Sequence, residues 1–155
     1  MRIYKIASAE LWYHGSVKDF DQFNDYSWFT SDKNMASDYI SWSTEGKKAN
    51  VLYTVRLSAS NYLDLTAYDM DDTINIDDGD IEFLFSDIGI KFNDSNVETQ
   101  LLSRPDIDDV STSWVINNVI QDIHKYDGVK ILESGILTCC VFSGKNVSIL
   151  DKNYK

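Results

Sequence analysis

Three apolar segments of strand length, Val129 to Leu132, Leu137 to Phe142 and Val147 to Leu150, are joined through the short connections at Ser134-Gly135 and Ser143-Gly144-Lys145-Asn146. Connections this short join antiparallel neighbours, because a parallel pair needs a crossover of a dozen or more residues. The C-terminal part is therefore predicted to be antiparallel sheet. Arg2 to Ile6 and Leu11 to Tyr13 read as short strands, Asn50 to Leu57 alternates as a strand does, and Leu63 and Leu65 extend another. Asp32 to Trp42 reads as a helix with Met35, Ala36, Tyr39 and Ile40 on one face. A second helix is predicted behind the cap Ser111-Thr112-Ser113, where Ile116, Val119, Ile120 and Ile123 recur at i, i+3, i+4 and i+7. The expectation is an α+β fold, a split and mainly antiparallel sheet with flanking helices.

With 155 residues, 43% of them hydrophobic, the chain is expected to form a single domain over 1–155. Eight acids fall among few periodic apolar residues from Asp64 to Glu82, which predicts a solvated acidic insertion. It lacks the Asp-x-Asp-x-Asp-Gly spacing of a calcium loop. Ile81 to Ile90 reads as either a short helix or a strand, Asn93-Asp94-Ser95-Asn96 as a loop, and Pro105 falls in a linking loop. His124, near the end of the second helix, is expected to be structural, a cation at the carbonyl end of the dipole. Cys139 and Cys140 are adjacent in an apolar strand, point to opposite faces and are expected to stay reduced. Two distant histidines and no Cys-x-x-Cys give no reason to expect zinc or another metal. The N-terminus lacks a signal-like apolar stretch and no run approaches the roughly 20 apolar residues of a span, so a cytoplasmic protein without membrane contact is expected. A net charge of -11 argues against direct nucleic-acid binding, which draws on Lys and Arg clusters. It fits either a basic protein partner or plain solubility.

Against this frame of short strands stand three segments rich in chemistry. Leu11-Trp12-Tyr13-His14-Gly15-Ser16 ends a strand, and Gly15 offers bare backbone to a ligand. Trp28-Phe29-Thr30-Ser31 is followed, eleven positions after Trp28, by Tyr39 on the first helix, so two aromatic rings can face each other across a flat ligand. Helical spacing alone also fits Tyr39 as a core residue. The third segment is Tyr126-Asp127-Gly128-Val129-Lys130-Ile131-Leu132-Glu133, an acid closing a buried-looking strand before a glycine bend.

These segments resemble the ADP-ribosyltransferase superfamily, on the side of the poly(ADP-ribose) polymerases with their histidine-tyrosine-glutamate triad. His14-Gly15-Ser16 is similar to the first motif, Trp28-Phe29-Thr30 with Tyr39 to the second, and Glu133 with Cys140-Val141-Phe142 to a lengthened third. The likeness spans most of the chain. A narrower one, over the C-terminal third, is to phage anti-CRISPR ADP-ribosyltransferases that modify a CRISPR surveillance complex. It rests on Ser113-Trp114-Val115-Ile116, Gly128-Val129 and Glu133-Ser134-Gly135. Members of that group tend to carry His-Thr-Ser and an aspartate, so Gly15 and Glu133 depart from them.

The resemblance implies NAD as substrate and no metal, with His14, Tyr39 and Glu133 catalytic. By it His14 holds the adenosine-side ribose, and the Gly15 backbone takes the nicotinamide carboxamide. Tyr39 with Trp28 or Phe29 sandwiches the nicotinamide. Ser16 reaches the adenosine ribose, and Ser31 or Ser37 the carboxamide. Glu133 meets a ribose hydroxyl and stabilises an oxocarbenium-like transition state, as in glycoside cleavage. The implied function is mono-ADP-ribosylation of a basic protein target such as a CRISPR effector subunit, in the host cytoplasm if the chain is phage-encoded. Two other functions fit the sequence: an NAD glycohydrolase toxin, and a non-catalytic acidic module that binds a basic protein. Arginine-specific transferases resembling this family carry a second acid two residues before the glutamate, where this chain has Ile131; simple arginine analogues are thus expected to be poor acceptors.

Overall fold

A computed structural model describes residues 3–4, 10–43, 49–58, 61–69, 73–75, 80–87, 89, 109–116 and 126–155. The chain divides into two compact units, Arg2–Asp69 with Tyr126–Lys155, and Met70–Lys125. The larger unit holds strands β1 (Ile3–Tyr4), β2 (Trp12–Ser16), β3 (Ser27–Thr30), β4 (Val51–Leu57) and β5 (Tyr62–Asp69), and helix α1 (Lys33–Trp42). The smaller unit contributes β6 (Thr73–Asn75), α2 (Asp80–Asp87), β7 (Asp109–Ser111) and α3 (Thr112–Val115). β8 (Gly128–Glu133), β9 (Ile136–Val141) and β10 (Val147–Tyr154) return to the larger unit.

The larger unit is one eight-stranded sheet in the order β1-β5-β8-β9-β3-β2-β4-β10, antiparallel except for β5 beside β8. Its middle seam is thin: β2 and β3 pair only at Tyr13 and Thr30. Elsewhere the ladders are longer, β2 running along β4 from Trp12 to Ser16 and β3 along β9 from Ser27 to Thr30. The fold is thus mixed α and β with a mostly antiparallel sheet whose two halves are joined by a single residue pair.

The β8–β9 hairpin turns through Ser134 at φ 50 and Gly135 at φ 77. Two successive positive φ angles are what a two-residue hairpin loop needs to match the strand twist, and they explain the Gly at the second position. α1 begins at Asp32, whose Oδ1 accepts from the N–H groups of Asn34 and Met35. The Asp32 N–H donates in turn to Thr30 Oγ1, so the exit of β3 fixes the start of the helix. Ala36 and Ile40 bury the inner face of α1 as the spacing predicts, whereas Tyr39 is 39% exposed and is not a core tyrosine.

The core on the other side of the sheet is aromatic, with Trp12, Phe23, Phe29, Tyr53 and Tyr62 packed among Val51, Val55, Leu57, Cys139 and Val141. Cys139 and Cys140 are both free and buried, and burial pushes the Cys140 thiol up to about 12, which keeps it protonated.

Several boundaries differ from expectation. β2 runs on through His14, Gly15 and Ser16, and β10 continues to Tyr154 as a polar edge strand. Residues 64–69, expected to open the acidic insertion, complete β5, whereas Asp71, Asp72, Asp77 and Asp78 lie outside the described residues. The ambiguous segment after Asp80 is helical to Asp87. Of the second expected helix only the start is described, as α3; Val119, Ile120, Ile123 and His124 lie outside, as do Asn93 to Asn96 and Pro105.

Candidate active site

The seam between β2 and β3 gathers most of the singled-out residues. Phe142 N–H bonds to Asp127 O and Ser31 N–H to Leu137 O, so along β9 alternate residues serve β8 and β3. By that alternation the N–H and C=O of Trp28 and Thr30 point toward β2. On the other side, Lys155 N–H bonds to Asn50 O and Ser58 N–H to Asn146 O, which turns the polar groups of Val51, Tyr53 and Val55 toward β2. They pair with Ser16, His14 and Trp12, leaving the N–H and C=O of Tyr13 and Gly15 directed at β3. Tyr13 meets Thr30 there; Gly15 faces the seam beyond the last ladder pair.

His14 occupies the seam with its ring. Nδ1 lies 2.6 Å from the Trp28 carbonyl oxygen, taking the place of a ladder bond. Phe23, Phe29, Tyr53 and Phe20 surround the half-buried imidazole at 5.0, 5.6, 6.2 and 6.5 Å between centroids. Burial lowers its pKa, and the bond to Trp28 raises it by less. A neutral imidazole bound this way carries its proton on Nδ1, which donates to Trp28 O and leaves Nε2 as an acceptor.

Gly15 has a structural reason to be glycine that needs no ligand. A Cβ there would overlap the Ala36 carbonyl oxygen and come within 2.9 Å of Ile40 Cγ1. The bare side of Gly15 is filled by α1, and what it offers the seam is its backbone edge.

Tyr39 and Glu133 meet. The Tyr39 hydroxyl donates to Glu133 Oε1 at 2.7 Å, across 94 residues of sequence. Trp42 stacks edge-on to Tyr39 at 5.6 Å and is 63% exposed. Cross-strand register places Glu133, Ile131, Trp28 and Gly15 on the face that α1 covers, and His14 and Phe29 on the opposite face. Phe29 is 1% exposed and packed on Phe23, so of the two candidates for an aromatic sandwich it is core, and Trp28 shares the face of Tyr39. Ser31 bonds through both N–H and Oγ to Leu137 O, securing β3 to β9. Ser16 Oγ accepts the Lys18 N–H and shapes the exit of β2. Ser37 is a half-buried residue of α1.

Two features had no signal in the sequence. Phe20 and Phe23, in the loop after β2, close over His14 without periodicity. Lys130 is buried on the His14 side of the sheet, its Nζ 5.3 Å from the Trp12 ring centroid, and burial lowers its pKa. Among the described residues no group of three or more His, Cys, Asp or Glu is placed to hold a metal, and no helix is long and apolar enough to cross a membrane. Compared with family models, with curated proteins and with solved structures, the chain matches none.

Proposed function

We propose that this chain is an NAD-dependent mono-ADP-ribosyltransferase acting on a basic protein. The observation that carries the reading is the Tyr39–Glu133 hydrogen bond, which holds a carboxylate at the end of β8 on the sheet face that Trp28 and Gly15 share. In the transfer the bond between nicotinamide and ribose C1′ breaks, the electron pair leaves with nicotinamide, and the acceptor attacks C1′ and loses its proton. Positive charge builds on the ribose, and a carboxylate bonded to a ribose hydroxyl stabilises it by several kcal/mol in glycosidases, about the scale assigned here to Glu133. Tyr39 fixes one oxygen of that carboxylate; the other is assigned to the ribose hydroxyl.

The Gly15 edge offers an N–H and a C=O, the pair that a carboxamide matches. Trp28 and Tyr39 are the rings for the nicotinamide, and His14 Nε2 accepts from a hydroxyl of the distal ribose. The -11 charge favours a basic target, for which a CRISPR effector subunit is our first candidate.

Labelled NAD incubated with the protein and a bacterial lysate containing a CRISPR surveillance complex tests the reading, with Glu133→Gln as control. A labelled band lost in the variant supports transfer. Free nicotinamide without a band assigns the site to NAD hydrolysis, and neither product overturns both.

A further inference from the structure

We propose that Tyr53 is a positioning residue for His14, tying down the loop between β2 and β3 so that Phe20 and Phe23 enclose the imidazole and hold Nδ1 on Trp28 O. Tyr53 lies directly opposite His14 in the β2–β4 ladder and is fully buried. Its hydroxyl accepts the Phe20 N–H at 2.9 Å and faces the carbonyls of Lys18 at 3.2 Å and Phe20 at 3.3 Å. One hydroxyl thus accepts from one backbone group of the loop and shares its single proton between two carbonyls of the same loop. The Phe20 ring stacks on Tyr53 at 4.6 Å and 12°, and Phe23 stands edge-on to Phe20, Tyr53 and His14.

The same loop is fastened at other points. Lys152 Nζ reaches Asp19 and Asp21, each at 2.8 Å, and the Tyr154 hydroxyl donates to Asp19 at 3.0 Å. Asp25 accepts the Gly144 N–H at 2.9 Å, and a Cβ on Gly144 would overlap the Phe23 carbonyl oxygen. The exposed ion pairs contribute little by themselves. The buried hydroxyl bonds the backbone of Phe20, one of the rings that touch His14. Among the described residues the rings around the imidazole are Phe20, Phe23, Phe29 and Tyr53, none of them charged, so the state of His14 follows how completely they close.

The structural part of this inference stands alone; its consequence for NAD rests on the transferase reading. Tyr53→Phe keeps the ring and removes the hydroxyl. By NMR titration, with His14 assigned by its loss in His14→Gln, the midpoint of His14 is expected to move up toward the ordinary imidazole value. KM for NAD is expected to rise, up to about tenfold for one lost hydrogen-bonding group, with kcat nearly unchanged. A folded Tyr53→Phe protein with an unmoved His14 midpoint overturns the proposal. Should Tyr53→Phe fail to fold, Phe20→Leu removes the stacked ring while leaving the backbone bonds, and must move the midpoint the same way or the proposal falls. If the wild-type protein consumes no NAD, the transferase reading fails, and the His14 titration still decides the role of Tyr53.

Discussion

The Tyr39 hydroxyl and Glu133 Oε1, 2.7 Å apart, join α1 to the end of β8. This bond holds Glu133 in place. Glu133→Gln keeps an oxygen for Tyr39 and removes the charge, so nicotinamide release should fall at least about a hundredfold, the loss typical when one electrostatic stabiliser of a transition state goes. Thermal stability should stay close to wild type. Tyr39→Phe should cost activity less than Glu133→Gln does; equal activities in Glu133→Gln and wild type would remove Glu133 from the chemistry.

Gly15→Ala is expected to destabilise the larger unit by about 1–3 kcal/mol, the usual cost of overpacking. The obstacle is the Ala36 backbone carbonyl, which cannot rotate away as a side chain would. Urea denaturation reads the loss directly. A Gly15→Ala protein as stable as wild type would mean that α1 sits farther from β2.

His14 gives the protein a pH dependence with a definite sign. Its pKa is lowered in the fold by burial, so the unfolded chain binds the proton more readily. Its contribution to stability is full above the unfolded value of about 6.5 and is lost as pH falls below it toward the folded value. The urea midpoint should therefore drop between pH 7.5 and 5.5 in wild type. In His14→Gln that drop should shrink; equal drops would show that His14 titrates the same in both states.

How much of this was legible in the sequence differs from residue to residue. The β8–β9 hairpin and α1 carry their own signals, a glycine bend between apolar runs and an Asp cap ahead of buried Ala36 and Ile40. Beyond Leu65 the stretch 66–69 carries no strand signal because β5 owes its length to pairing with β8, and β10 continues through Asp151, Lys152 and Asn153 because an edge strand bonded to β4 tolerates polar side chains. Motif spacing brought Tyr39 and Glu133 to attention, yet their contact depends on how α1 is set on the sheet. Phe20 and Phe23 carry no signal because a loop closing over a histidine has no period to read, and the strand pattern of Asn50 to Leu57 places Tyr53 in the sheet without pointing to His14. Gly15 was legible as a close approach, but of helix backbone rather than ligand.

Ser134→Asn should stabilise the hairpin that carries Glu133. Ser134 sits at φ 50, a region where asparagine is at much lower cost than most residues, and Asn-Gly is the preferred pair for a two-residue loop with both φ angles positive. The gain should be about 0.5 kcal/mol, read as a higher urea midpoint, within the range of single surface optimisations. Gly135→Val should do the opposite, because a β-branched residue is strained at φ 77. A loss of stability in Ser134→Asn would mean that the Ser134 hydroxyl has a role the turn geometry does not require.

Under the proposed transferase reading, acceptor choice is assigned to Ile131. It shares a face with Glu133, two residues earlier on β8, and is 3% exposed, so the position where that reading would look for a second, arginine-holding acid carries a buried aliphatic side chain. A guanidinium brought to Glu133 would find no second carboxylate at that position to hold it in a bidentate grip. Agmatine should therefore take label from NAD far less than the protein target does. Ile131→Glu would not repair this, since the new charge would be buried and is expected to cost several kcal/mol of stability. Efficient agmatine labelling by the wild-type protein would overturn the assignment of acceptor choice to this position.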